Sequence, residues 1–320
     1  MKRSFKSRFL QSKLFLLIVL LVLIFAFFAY QSGGMSLSLA NIRSILSQIL
    51  ISALLAIGAA YLMIGGNMDL SSGAVGTLCG IVMAILLKSM PWPVAVLISL
   101  LLGAVCGFIN AVLINELNFQ GFIATMAVAS VTEGLSYVSS DARAVAIENE
   151  SLSNIANGKF LNNTVPYAML GVFALFIIYG IILSRSKFGR QIYLVGGNHR
   201  AANLSGINPK RMSYKLFINS AVLSALAGCL FAAQMQSGSV RGITSSRLSG
   251  ITAVMLGGIS FGGGSGGMAG AFVGLLILNV FSNGLTILGM NPYWKTFASG
   301  ALLIAALTLD VFMSRQKNAV

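Results

Sequence analysis

The chain has 320 residues, of which 57% are apolar and only 9% are charged, and its mean hydropathy is +0.88. Soluble domains carry roughly 25% charged residues, so this composition excludes an ordinary soluble protein. A formal net charge of +14 would suggest a nucleic-acid partner in a soluble protein. Here the basic residues flank apolar runs and are not interleaved with aromatic residues, so no nucleic-acid partner is predicted.

Long apolar runs recur along the chain and predict an all-α, polytopic membrane protein with a single transmembrane domain over residues 1–320. In chain order, ten spans are predicted over residues 14–30, 42–64, about 73–87, 93–116, from 122, 168–183, 216–235, 248–260, 268–288 and 295–313. The first run could instead be a signal peptide, but its apolar core is long and no clean cleavage site follows. The eighth run is too short to span alone.

Basic residues set the predicted orientation of these ten spans, with both termini in the cytoplasm. Fourteen lysines and arginines fall on the cytoplasmic side and seven on the outer side, as the positive-inside rule requires. The basic N-terminus is residues 1–13, the largest external loop is residues 139–165, and a basic cytoplasmic loop is residues 186–215. One misplaced short span would invert everything after it.

The cytoplasmic loop contains a predicted short helix over residues 198–205. Asn198 can cap its N-terminus, Ala201 and Ala202 are good helix formers, and Gly206 can end it. The sequence YLVGGN that ends at Asn198, followed by AANLSGI from Ala201, resembles the cytoplasmic coupling loop of the permeases of ribose-type sugar ABC importers.

That resemblance implies that the short helix seats in a groove of a separate ATPase. The residues that would form this contact are Gly197, Asn198, Ala201, Ala202, Leu204, Ser205 and Gly206. On charge alone, the segment could equally be an ordinary basic loop that retains topology.

Three further places resemble the same family: residues 65–73 (GGNMDLSSG), 122–125 (FIAT) and 256–274. The first departs from the family pattern, since Asn67 and Met68 stand where the family has a single Ile. Glu133 also departs, because it stands where the family usually has Arg. The Glu133 carboxylate could be solvated near the outer surface, or its reversed charge could alter the docking of a partner or the choice of substrate.

Several polar residues lie within or beside the predicted spans. Asp69 is interpreted first as a cap of the third span and alternatively as part of a translocation path. Asn110 is expected to form an interhelix hydrogen bond, with a sugar contact as the alternative. The candidate path residues are Asp69, Ser72, Asn110, Phe122 and Thr125.

Glycines at four-residue spacing predict close helix packing. One such pair is Gly103 and Gly107, and a second set is Gly266, Gly270 and Gly274. The letters of residues 262–267 also match a dinucleotide fingerprint, but a long apolar run follows and no acidic residue lies about 20 positions on. The spacing of Ser72, Gly76 and Gly80 matches the second set and is consistent with an internal repeat of broken helices.

Catalytic groups are missing from the spans. The sequence has no phosphate-binding GxxxxGK[ST] loop, no carboxylate pair, one histidine, and three isolated cysteines that read as core residues. No enzyme activity, metal site or bound cofactor is therefore predicted, and ATP with Mg²⁺ is expected on a partner chain.

The resemblance implies a permease subunit of a bacterial ABC importer in the cytoplasmic membrane, which moves a monosaccharide inward. The implied partners are an ATPase subunit, an external sugar-binding protein, membrane lipid, and a second permease copy, identical or related. The alternatives are an ion-coupled secondary transporter in which Asp69 or Glu133 titrates, a branched-chain amino-acid ABC permease, and a structural or enzymatic membrane subunit.

Overall fold

The computed structural model describes residues 13–160 and 165–291, together with 293–294, 296–298, 300–302, 304 and 308. The α-helices in residues 13–160 and 165–291 are α1 (Lys13–Gln31), α2 (Leu39–Ile64), α3 (Ser72–Leu86), α4 (Trp92–Asn115), α5 (Gly121–Ser140), α6 (Glu150–Asn157), α7 (Tyr167–Arg185), α8 (Lys187–Gly197), α9 (His199–Leu204), α10 (Pro209–Gln234), α11 (Arg247–Leu256) and α12 (Met268–Ile287). Short strands β1 (Val145–Ala146) and β4 (Ser237–Gly238) pair antiparallel, as do β2 (Lys159–Phe160) and β3 (Val165–Pro166).

Within the described residues, seven helices are long and apolar enough to cross a membrane: α1, α2, α4, α5, α7, α10 and α12. α3 is apolar but has only 15 residues. The predicted eighth span, residues 248–260, is shorter in the structure, because α11 has 10 residues and ends before Gly257. Of the predicted tenth span, residues 295–313, the structure describes only residues 296–298, 300–302, 304 and 308, and of the basic N-terminus, residues 1–13, only residue 13.

α2 and α10 form the centre of the bundle. Leu54 and Ile57 of α2 and Leu216 and Phe217 of α10 have no exposed surface. By contrast, α1 and α7 expose most of their apolar residues. Because each helix satisfies its own backbone, such surfaces suit contact with lipid.

Glycines let α10 approach its neighbours closely. A Cβ atom on Gly107 of α4 would stand 2.6 Å from the Phe217 carbonyl oxygen, and one on Gly103 would stand 2.6 Å from the Ala225 methyl group. On the other side of α10, Gly228 lies directly against the backbone of Gly76 in α3. Small residues therefore allow backbone-to-backbone packing at the centre of the protein.

α11 and α12 pack through a second set of glycines. Gly270 lies against the carbonyl oxygen of Gly257, and Gly274 lies against that of Ala253. Gly266 was predicted to join this face, but α12 begins only at Met268, and Gly266 packs against Ile259 with a φ of +107°. The predicted three-glycine face is therefore wrong at Gly266, and only Gly270 and Gly274 pack α12 against α11.

The two ends of the bundle differ. At one end, which we call the strand face, the two strand pairs and α6 form a small layer. Asn157 of α6 donates its Nδ2 hydrogen bond to the Gln234 carbonyl at 3.2 Å, and Gln236 bonds Ser153 at 3.0 Å. The segment predicted as the largest external loop, residues 139–165, therefore contains a helix and short strands in its described part. At the opposite end lie α8, α9 and several glycine-rich turns.

Candidate functional site

Three short-range caps shape the basic segment opposite the strand face. Ser186 accepts a hydrogen bond from the Gly189 amide at the start of α8, Asn198 accepts one from the Ala201 amide at the start of α9, and Asn208 accepts one from the Arg211 amide at the start of α10. These bonds are 2.9–3.0 Å long. Each satisfies an amide that has no partner inside its own helix.

α9 is the predicted short helix. It runs over six residues and is followed by Gly206, which adopts a φ of +79°. The Gly206 and Ile207 amides donate to the carbonyls of Asn203 and Ala202, so the exposed end of the helix is closed by its own backbone. α8 was not predicted, although its buried residues Gly189, Ile192 and Gly196 follow a helical spacing.

The predicted coupling residues do not share one face. Exposed members are Gly197, Asn198, Ala201, Leu204, Ser205 and Gly206. Leu204 is 85% exposed. Ala202 is 2% exposed and packs into the hydrophobic core, so the prediction that its side chain contacts a partner is wrong.

Backbone segments meet tightly beside α9, and we call this contact the glycine junction; it consists of Gly65, Gly66, Gly196, Gly197, Gly263 and Gly264. The Gly264 amide donates to the Ile64 carbonyl at 2.8 Å, at the end of α2. A Cβ on Gly263 would stand 2.7 Å from the Gly196 carbonyl oxygen and 2.9 Å from the Gly66 Cα atom. The ends of α2 and α8 and the loop before α12 are thus in direct backbone contact.

A tyrosine braces this junction. The hydroxyl of Tyr193 in α8 donates to the Gly266 carbonyl at 2.8 Å. Burial raises the pKa of Tyr193 above its ordinary value, so the hydroxyl keeps its proton at neutral pH. α8 ends at Gly197 and α9 begins at His199, so a single residue connects the exposed helix to the junction.

Asp69 forms a buried polar cluster between α2 and α3. Its Oδ1 atom accepts hydrogen bonds from the Ser71 amide at 2.7 Å and the Ser71 hydroxyl at 2.5 Å. Asn110 of α4 donates to the same hydroxyl at 2.9 Å. Ser71 occupies the N-cap position of α3 without a side-chain cap hydrogen bond, and Asp69 bonds Ser71 rather than the first helical amides, so the prediction that Asp69 caps this helix is wrong.

The other candidate path residues divide into two groups. Ser72 is buried next to the Asp69 cluster. Thr125 is buried too, but its hydroxyl bonds the Gly121 and Phe122 carbonyls of its own helix. Phe122 is 54% exposed and takes no part in the cluster. Glu133 is half-buried in the half of α5 nearer the strand face.

The structure also contains a polar cavity that the sequence analysis missed. It has a volume of about 740 Å³ and lies between α2, α10, α11 and α12 near the strand face. The signal that could have revealed it is on α2, where Ser44, Ser47, Gln48 and Ser52 recur at helical spacing on one side of an apolar helix.

Metal-ligating groups are dispersed. Among the residues that the structure describes, no three His, Cys, Asp or Glu side chains lie close enough together to hold a metal ion. Cys79, Cys106 and Cys229 are free and buried.

Comparison with known proteins gives a consistent picture. A family model described as the permease component of branched-chain amino acid transport systems matches residues 41–307. The chain is 33% identical to the ribose import permease protein of Bacillus subtilis, over 87% of this chain and 86% of that protein.

Two further relatives cover as much of the chain. It is 31% identical to the galactose/methyl galactoside import permease protein of Haemophilus influenzae, over 95% of this chain and 94% of the relative. It is 30% identical to the L-arabinose transport system permease protein of Escherichia coli, over 88% and 85%. No solved structure matches the chain.

Proposed function

Because this chain belongs to the family of ABC-importer permease components, we propose that it is the subunit through which a monosaccharide crosses the cytoplasmic membrane inward. It is a multi-pass membrane protein and a transport subunit, not an enzyme. The observation that carries the substrate class is the set of relatives, whose names specify ribose, galactose and arabinose. The family model by itself would allow a branched-chain amino acid.

The proposed orientation places the glycine junction in the cytoplasm and the strand face outside. Seven basic residues between Arg185 and Lys215 lie in the segment that contains α8, α9 and the start of α10. Positive charge of this density is typical of cytoplasmic loops. In this orientation, α6 and the strand pairs form the surface on which an external sugar-binding protein would dock.

ATP would be bound and hydrolysed, with Mg²⁺, by a separate ATPase chain that seats on α9. The support for this is the exposed Leu204 on a capped helix, the likeness of the loop to coupling loops, and a sequence that lacks a phosphate-binding loop. We propose that movement of α9 passes through Asn198 to the glycine junction. Since the ends of α2 and α8 touch there without intervening side chains, a displacement of one must move the other.

A second permease copy, identical or related, would complete the pore. α4 and α5 each expose a broad apolar surface that could face this copy or lipid. Alternating access then requires that ATP binding favours one of two arrangements of the assembled subunits.

The experiment that tests this function is uptake into proteoliposomes. The chain is reconstituted with its cognate ATPase and sugar-binding protein, and radiolabelled ribose, galactose, arabinose and leucine are supplied outside. We expect uptake of at least one sugar, dependent on ATP within the compartment that holds α9 and insensitive to a protonophore.

Two results would contradict the proposal. Uptake of leucine without any sugar would assign the chain to amino-acid import. Uptake that needs no ATP and collapses with a protonophore would favour ion-coupled transport.

A further inference from the structure

The polar cavity opens at the strand face and ends inside the bundle. Along α2 it extends from Ala40 to Ser52, a distance of about 18 Å at the rise of an α-helix. Its volume of about 740 Å³ lies within the range of roughly 300–1,000 Å³ that small-molecule sites occupy. Below it, α11 closes on α2, since a Cβ on Gly250 would stand 3.1 Å from Leu55.

The chemistry of the lining is mainly hydroxyl and amide, with ten serine, asparagine and glutamine residues and two basic ones, Arg43 and Lys159. Of the twenty lining residues, twelve carry polar or charged side chains, and none of the described ones is a carboxylate. In a helical bundle that is otherwise apolar, such a concentration of polar groups requires water or a polar ligand to satisfy them.

Several hydroxyl groups in the cavity make no hydrogen bond to the described residues, whereas the Ser44 hydroxyl accepts one from Gln48 Nε2 at 2.9 Å. Elsewhere in the spans, Ser99, Ser136 and Ser224 each donate to the carbonyl four residues earlier at 2.8–2.9 Å. Within the part of the chain that the structure describes, the hydroxyls of Ser52 and Ser282 make no such bond. They are therefore available to a molecule in the cavity.

Two other side chains extend this pattern. Asn279 uses one N–H on the Leu275 carbonyl at 2.8 Å, and its amide oxygen has no donor among the described residues. Phe231 contributes an aromatic surface to the same lining. Hydroxyl and amide groups that both donate and accept, beside an apolar surface, suit a molecule that carries hydroxyl groups on a C–H framework.

We propose that this cavity is a binding site, within one copy of the chain, for a neutral polyhydroxylated solute. The inference rests on the proposed function, because the solute would arrive from the strand face. A zwitterionic amino acid is disfavoured, since its ammonium group would share the cavity with Arg43 and Lys159 and would find no carboxylate in the described lining to pair with. The site is distinct from the Asp69 cluster, which contributes no lining residue.

The first test fills the cavity. Ser52→Phe and Asn279→Leu are compared with Ala174→Phe, an exposed position on the lipid-facing surface of α7 that lies outside the cavity. Uptake is measured in the complete reconstituted system with whichever of ribose, galactose or arabinose the unaltered chain transports. We expect both cavity variants to lose at least about tenfold in uptake rate and Ala174→Phe to stay near the unaltered rate.

A second test uses a small substitution that preserves the fold. Ser47→Cys, in a background without the three native cysteines, should react with an impermeant thiol reagent from the strand-face side. The transported sugar should slow this reaction severalfold, and the same concentration of leucine should not.

The outcomes separate the two proposals. If the unaltered chain transports sugar but the cavity variants transport normally, or if sugar gives Ser47→Cys no protection, the cavity proposal alone is overturned. If the unaltered chain transports none of the sugars, the proposed function is wrong and the cavity proposal is rejected with it.

Discussion

Gly196 stands where three backbone segments meet, and a side chain has no room there. A Cβ atom at this position would overlap the Ile64 carbonyl oxygen and stand 2.8 Å from the Gly264 amide nitrogen. A Cβ atom on the next residue, Gly197, would meet nothing within 4 Å. A side chain is therefore excluded at Gly196 and has room at the adjacent Gly197.

We predict that Gly196→Ala destabilises the protein and that Gly197→Ala does not. Overpacking of a tight contact costs about 1–3 kcal/mol, and backbone atoms cannot move aside as a flexible side chain can. The unfolding temperature of the detergent-purified variants measures the difference. Equal unfolding temperatures would show that the glycine junction is looser than the structure has it.

Substitutions of Asp69 test whether this buried carboxylate only stabilises the fold or whether its charge is needed for transport. Asp69→Asn keeps an oxygen that can accept from Ser71, so we predict a folded protein that still transports. Asp69→Ala leaves the Ser71 amide without that acceptor and should cost about 1–3 kcal/mol. If uptake by Asp69→Asn is abolished while folding is normal, the charge itself is required.

At the scale of elements, α11 and α12 depend on contact between their backbones. We predict that Gly270→Leu separates them, because its Cβ position already overlaps the Gly257 carbonyl. The control is Gly134→Leu in α5, where a Cβ meets nothing within 4 Å. Yield and monodispersity of the purified protein should fall for the first variant alone. Normal assembly of Gly270→Leu would contradict this packing.

The structure determines which residue of α9 should be substituted to test docking of the ATPase. Bulk at Ala202 would disturb the core, so the clean test of docking is Leu204→Asp, which alters a residue that is 85% exposed. We predict normal insertion and unfolding temperature, with loss of ATPase co-purification and of substrate-stimulated ATP hydrolysis.

The control for α9 is Lys210→Ala. Lys210 forms an exposed ion pair with Glu116 at 3.1 Å, and such pairs contribute about 0–1 kcal/mol. The Lys210→Ala variant should therefore retain ATPase binding. Wild-type coupling in Leu204→Asp would show that α9 is not the docking element.

For the whole molecule, the decisive prediction is its orientation. In a background without native cysteines, Asn154→Cys in α6 should react with an impermeant thiol reagent in intact cells, and Asn203→Cys in α9 should react only after lysis. Both positions are exposed, so accessibility within the fold does not differ. The reverse pattern would invert the assignment of the two faces.

Sequence reasoning located the long helices well because uninterrupted apolar runs leave few alternatives. The observed bounds of α2, α4 and α12 lie within three residues of the predicted ones. The cap at Asn198 was also confirmed, since capping depends on local chemistry. The exposed side of α9 could not be predicted, because a six-residue helix is too short for periodicity to distinguish its faces.

The cavity and the Asp69 cluster depend on contacts between distant parts of the chain. The cavity joins Ser52 to Asn279, and the cluster joins Asp69 to Asn110. Neither pairing can be read from one sequence, because nothing local in either segment specifies its partner. The sequence does show a polar stripe on α2, formed by Ser44, Ser47, Gln48 and Ser52. It does not show which residues of the other helices face this stripe across the cavity.

The shortness of α3 has a consequence for how the protein is made. Fifteen residues extend about 22 Å, less than the roughly 30 Å of a bilayer's hydrocarbon core. α3 packs tightly on Gly228, and at about 5–20 residues per second the roughly 150 residues between Gly76 and Gly228 take about 8–30 s to synthesise. α3 also packs on α4 and α5, which are made earlier, so until α10 emerges the nascent chain holds at the membrane a short helix that still lacks its tightest backbone contact.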